Sequence, residues 1–239
     1  MVKKIIFLFL VSTGIGGMVL SQTDLKDLVV EENIKGITKA KDGDIHFKAK
    51  KALFNKSKKF LEMQEDVEIK TSRGLSLETQ AIKWDQKQEK VFTDKEVKIT
   101  KDKDIQIQGK GLQAKPSLKR LKIEKAVEVK LPEEKGSFIM INCKGPLEID
   151  YEEGKAVFYN EVEVNQKDYQ LFSDKATMYF DTNSQSLEKV VAEGNVRILR
   201  GKDTSYSEEA VYNVKEKKLT LKGNPRLVIF PDKNGGFLK

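Results

Sequence analysis

The chain has 239 residues, a formal net charge of +7, and 38% hydrophobic against 34% charged residues. A single cysteine and a single histidine exclude an intrachain disulfide and any metal centre built on His/Cys clusters. Five prolines exclude long Pro-rich linkers, and the regular spacing of the apolar residues excludes a disordered chain.

The N-terminus reads "MVKKIIFLFLVSTGIGGMVLSQTD". Lys3 and Lys4 precede an uncharged apolar run from Ile5 to Leu20. The run falls short of the roughly 20 residues that span a bilayer comfortably. It reads as a secretory signal or a signal anchor occupying residues 1–23. Either outcome delivers the rest of the chain outside the cytoplasm. Without those two lysines the remainder carries 7 − 2 = +5. Lysines and acids interleave along its length, which suits a solvated mixed-charge surface.

Residues 45–70, 75–100 and 105–130 stack without a gap at a period of 30. Ile45, Leu75 and Ile105 coincide, as do Phe47, Leu77 and Ile107. Val67, Val97 and Val127 close the units, each followed two residues later by Ile69, Ile99 and Val129. A period of this size marks repeated supersecondary units. The closing pattern returns with looser spacing at Val162 and at Val196, and the series ends near Pro225. The first irregular step contains "LPEEKGS", which places a seam at 131–137.

Within each unit the apolar residues alternate, which predicts strands with one buried and one wet face. Polar stretches such as "DQKQEK", "DTNSQS" and "NVKEKK" suit tight antiparallel connections. No sustained helical period occurs. The expected fold is therefore all-β: antiparallel, stacked strands that align their apolar residues into one interior stripe. The expected inward residues are Phe47, Phe54, Leu77, Trp84, Val97, Ile107, Val129, Met178, Phe180 and Tyr212. Alternation alone leaves open whether they only pack one another or line an open trough.

The stretch "GLSLETQAIKWDQKQEKVFTDKEVKITKDKDIQIQGKGLQAKPSLKRLKIEKAVEVKL" resembles the LptC family of lipopolysaccharide transport proteins. The later segments "GPLEIDYEEGKAVFYNEVEV", "SDKATMYF", "EKVVAEGNVRI" and "SEEAVYNVKEKKLTLKGNP" resemble the OstA/LptA family. The resemblance spans roughly residues 40 to 230 and rests on degenerate β patterns appearing in order. It implies a β-jellyroll open along one side, with an LptC-like part at 24–131 and an OstA/LptA-like part at 138–239. It also implies a periplasmic bridge carrying lipopolysaccharide from the inner to the outer membrane. The ten inward residues would then form a lipid groove. The implied partners are lipopolysaccharide, an inner-membrane ABC transporter of the Lpt system, and other Lpt jellyrolls joined by edge-strand pairing. The segment 5–20 would be the tether to the inner membrane, if it is retained.

No catalytic residues, metal or cofactor are expected, nor a nucleic-acid partner: no "GxxxxGK[ST]" loop occurs, and a triad would have to use His46, which reads as an exposed strand residue. Lys48, Lys50, Lys110 and Lys144 are candidate contacts for lipid phosphates. The alternatives are a structural or adhesive β-solenoid with a closed core, and a carbohydrate-active enzyme using Asp150 with Glu152 or Glu153.

Overall fold

The computed structural model describes residues 27–30, 33–40, 43–55, 58–102, 104–133, 136–184 and 186–230. The expected signal or anchor segment, residues 1–23, lies outside them. Seventeen strands and no α-helix occur among the described residues, and every ladder is antiparallel. The chain is all-β, as its alternation predicts, and a jellyroll, as the resemblance implies.

The chain divides into two compact units, residues 1–118 and 119–239. The first holds β1 (Asp27–Val30), β2 (Ile34–Ala40), β3 (Gly43–Ala49), β4 (Lys51–Asn55), β5 (Phe60–Thr71), β6 (Leu75–Asp85), β7 (Lys90–Lys101) and β8 (Ile105–Ala114). The second holds β9 (Arg120–Pro132), β10 (Phe138–Cys143), β11 (Leu147–Asp150), β12 (Lys155–Gln166), β13 (Tyr169–Phe180), β14 (Leu187–Arg200), β15 (Asp203–Asn213), β16 (Lys218–Lys222) and β17 (Arg226–Val228). Strand β9 pairs with β10 and β11, so the segment 131–137 falls inside the second unit.

The ladders between long strands are irregular near their middles. The ladders slip between Gln64 and Val67, Thr93 and Glu96, Tyr159 and Val162, and Glu193 and Val196. At several of these places the backbone enters the left-handed region: Glu65 and Asp66 (φ 60 and 52), Ala126 (φ 53), Asn160 and Glu161 (φ 64 and 53), Gly194 and Asn195 (φ 76 and 49). An extra residue in one strand bends it and strengthens its twist, which is what a β-bulge does. Here the bulges recur on neighbouring strands and line up into a corner. At three places the facing strand is interrupted: β3 and β4 both pair with β5, β10 and β11 both with β9, and β16 and β17 both with β15.

The corner explains the repeated closing valine. Val67, Val97, Val127, Val162 and Val196 are 1, 3, 2, 1 and 1% exposed, and each follows a corner as its first inward residue. A corner lets one strand contribute to two arms that can cover each other's apolar faces. In the second unit Ala192 and Ala210 on one arm join Val196 and Ile198 on the other in a single buried cluster, with Leu171 and Leu221 against it. Outside, the corners are laced by Lys50–Asp66 (2.6 Å), Lys51–Glu65 (2.7 Å) and Lys144–Glu161. Exposed pairs of this kind contribute about 0–1 kcal/mol each, so burial rather than charge carries the stability.

Candidate functional site

The inward residues fall into rows that cross the strands. In the first unit one row runs Phe47, Ile69, Leu77, Ile99, Ile107 through successive ladder partners. A second, on the other arm, runs Phe54, Leu61, Trp84, Val91, Ala114. Val97 lies beside the corner between Thr79 and Gly109. In the second unit Val129, Ile141, Val164, Leu171 and Ile198 form one row, and Ala156, Met178, Val190, Tyr212 and Leu219 another. Phe180 sits at the end of β13, where its ring lies 6.0 Å from that of Tyr151. The ten expected residues thus occupy inward rows or their ends, in two units rather than one patch.

Their cover differs. Leu77 is fully buried, Phe47, Val97, Ile107, Val129 and Met178 are buried, and Phe54, Trp84 and Phe180 are half-buried. Tyr212 shares an inward row with buried Met178 yet is 38% exposed. Its neighbour Leu219 is 46% exposed, and Leu227, continuing the Val129 row through Ser205, is 61% exposed. The inward stripe of the second unit therefore loses its cover toward β15, β16 and β17. The expected inward list lacks Ile141, Val164, Leu171, Ile198 and Val190, although the pattern of β10, β12, β13 and β14 puts them on the inward side.

Three of the four lysines proposed for phosphates have partners. Lys48 pairs with Glu68, Lys50 with Asp66 and Lys144 with Glu161. Interleaved opposite charges on neighbouring strands meet across the ladder and neutralise each other. Glu68 also pairs with Lys70, and the hydrogen bonds from Lys48 and Lys70 hold its carboxyl below the usual carboxylate range.

The carboxylates considered for glycoside hydrolysis have other work. Asp150 Oδ1 accepts the backbone N–H groups of Glu152 and Glu153 at 2.9 and 3.0 Å, which closes the turn after β11. Arg120 Nε reaches Asp150 Oδ2 at 2.8 Å, and Lys119 Nζ reaches Glu152 at 3.0 Å. His46 is exposed on β3. No group of three or more His, Cys, Asp and Glu residues arranged to hold a metal occurs among the described residues. Cys143 is buried opposite Val127, and burial pushes its thiol above the usual range.

Two family models match the chain in succession. Residues 29–131 match the family described as lipopolysaccharide-assembly, LptC-related, and residues 146–236 match the LptA/(LptD N-terminal domain) LPS transport protein family. The front half is LptC-related and the back half is LptA/LptD-like. Among curated proteins none matches the chain. Each segment is thus similar to a lipopolysaccharide transport family, and both descriptions concern lipopolysaccharide rather than a reaction on it. The boundary between the matched segments lies at 132–145, within the second compact unit.

Proposed function

We propose that this Lpt protein is a periplasmic bridge component that shields the acyl chains of lipid A between the inner and outer membranes. The observation that carries the reading is the inward stripe of the second unit, whose row passes from Met178, 9% exposed, to Tyr212, 38% exposed. An acyl chain of a dozen carbons resists water by on the order of 10 kcal/mol, so it needs continuous apolar cover to cross an aqueous space. Folded arms with apolar inner rows and charged outer rows supply that cover while keeping the carrier soluble. An LptC-like segment followed by an LptA-like segment combines the base of the bridge with its first extension. Directional movement would come from an inner-membrane ABC transporter, and further Lpt jellyrolls would join at sheet edges through unpaired backbone groups. Residues 5–20 would either address the chain to the periplasm or hold it at the inner membrane.

The test places a photo-crosslinking residue at Trp84, Ile107, Met178 and Tyr212 in turn, with outward Gln106 as control, in cells making lipopolysaccharide. Lipid adducts at inward positions and none at Gln106 are the expected result. Folded protein without inward adducts would make the rows a sealed core and the chain a structural solenoid.

A further inference from the structure

A groove of about 850 Å³ crosses the outer surface of the second unit, away from the inward rows. It follows the corner over β12, β13, β14, β15 and β17. One wall is a single cross-strand row: Glu163, Phe172, Arg197, Tyr206, Arg226, each the ladder partner of the next. The other wall is the corner itself, with Glu161, Asp174, Asn195, Glu208 and Asn224. Inward-facing residues such as Val162 and Val196, buried at 1% each, lie between these two outward rows, so their backbone forms the floor.

The first wall is braced. The Arg197 guanidinium carbon lies 4.3 Å from the Phe172 ring centre, and that of Arg226 lies 5.7 Å from the Tyr206 ring centre. Neither arginine is in an ion pair among the described residues. A guanidinium stacked on a ring keeps its N–H edge for hydrogen bonding. On the opposite wall Asp174 is steadied by Asn195 at 2.8 Å, and Glu208 has no ion-pair partner among the described residues.

We infer that this groove binds an extended glycan. Phe172 and Tyr206 stand on β13 and β15, two strand spacings or about 10 Å apart. That distance matches the rise of a disaccharide unit in an extended hexose polymer. Rings at that repeat pack on the apolar faces of alternate sugars. Carboxylates, amides and guanidinium edges on the two walls supply the donors and acceptors that hydroxyl and acetamido groups require. Other polymers fit poorly. The strands run across the groove, so a peptide lying in it finds no free backbone edge to join. Four carboxylates, one of them paired with Lys144, stand against two guanidinium groups, a balance that does not attract a polyanion. A hydrocarbon chain would leave these polar walls unsatisfied. The occupant is therefore a neutral, extended polymer of acetamido sugars; the saccharide part of lipopolysaccharide, which carries acidic groups, serves as the contrast.

The experiment titrates the full chain with two lipid-free probes, a tetramer of N-acetylglucosamine and the core oligosaccharide released from lipopolysaccharide by mild acid. Binding is read by calorimetry or by quenching of tyrosine emission. Saturable binding of the N-acetylglucosamine tetramer, and markedly weaker binding of the acidic core oligosaccharide, is expected. Tyr206→Ala should weaken it by about tenfold or more, the loss of a ring anchor, while Tyr206→Phe should stay close to wild type. Tyr206 is 37% exposed, so the alanine variant should fold; an unchanged melting temperature checks this. Lipid adducts at Met178 should persist in Tyr206→Ala, which separates this site from the inward rows. Failure of the tetramer to bind wild type, equal or tighter binding of the core oligosaccharide, or binding indifferent to Tyr206→Ala, would overturn the assignment.

Discussion

Asn195 Nδ2 donates a 2.8 Å hydrogen bond to Asp174 Oδ2, tying the corner of β14 to that of β13. The preceding Gly194 sits at φ +76, and a Cβ built there would meet the same Asp174 oxygen at 2.4 Å. The bend thus depends on a residue with no side chain beside one that tolerates the left-handed region.

Gly194→Ala should therefore cost about 1–3 kcal/mol, combining backbone strain with displacement of Asp174. Asn195→Ala, which loses an exposed hydrogen bond and a favourable backbone residue, should cost roughly 1 kcal/mol. Urea unfolding curves of both variants test the order. An Asn195 effect equal to or larger than that of Gly194 would mean that the bond, not the backbone, makes the corner.

Leu77 and Tyr212 share inward placement but not cover. Leu77→Ala should cost about 2–5 kcal/mol, because its fully buried side chain leaves a cavity. Tyr212→Ala should cost under about 1 kcal/mol and instead reduce capture of lipopolysaccharide. Thermal denaturation and a lipid pull-down distinguish the two. A large stability loss at Tyr212 would show that the row is sealed at its end.

Glu68 accepts from both Lys48 and Lys70, and its carboxyl lies below the usual range for that reason. A folded-state pKa below the unfolded one favours folding wherever the unfolded group would already be ionised. The contribution is present at neutral pH and is lost as pH falls from about 4.3 through the lower folded value. Glu68→Gln should flatten that part of the acid profile and leave its shape above pH 6 unchanged. Urea midpoints between pH 7 and pH 3 check this; an identical acid slope in the variant would place the pH sensitivity elsewhere.

Cys143 is buried, and its thiol is held above the usual range chiefly by that burial. Thiolate is the reactive form, so alkylation of the native protein should be far slower than in denaturant. Its rate should rise with urea in parallel with loss of structure in the second unit. Rapid labelling without denaturant would show that β10 opens locally.

Much of the architecture was legible along the chain. Alternation in "IQIQ" and "LKIEKAVEV" marks strands and their inward sides, because side-chain direction in a strand is a local property with period 2. The corner was also written there, though not read as such: "EDV", "KAV", "NEV" and "GNV" each set a bend before a buried valine. Its left-handed residues include Glu65 and Ala126, types with no preference for that conformation, so composition did not announce it.

Periodicity by itself determined the class of fold, the sides of the strands and the recurrence of the closing valine, since all three depend on neighbours a few residues away. Only the tertiary structure decided how much of each row is covered. Met178 and Tyr212 are equivalent by alternation, yet one is buried and the other open, because cover comes from neighbouring strands and differs between β13 and β15. The groove along Phe172 and Tyr206 belongs to the same category. Its walls come from five strands, β12 to β15 and β17, and nothing short of their register brings an aromatic, an arginine and a carboxylate side by side.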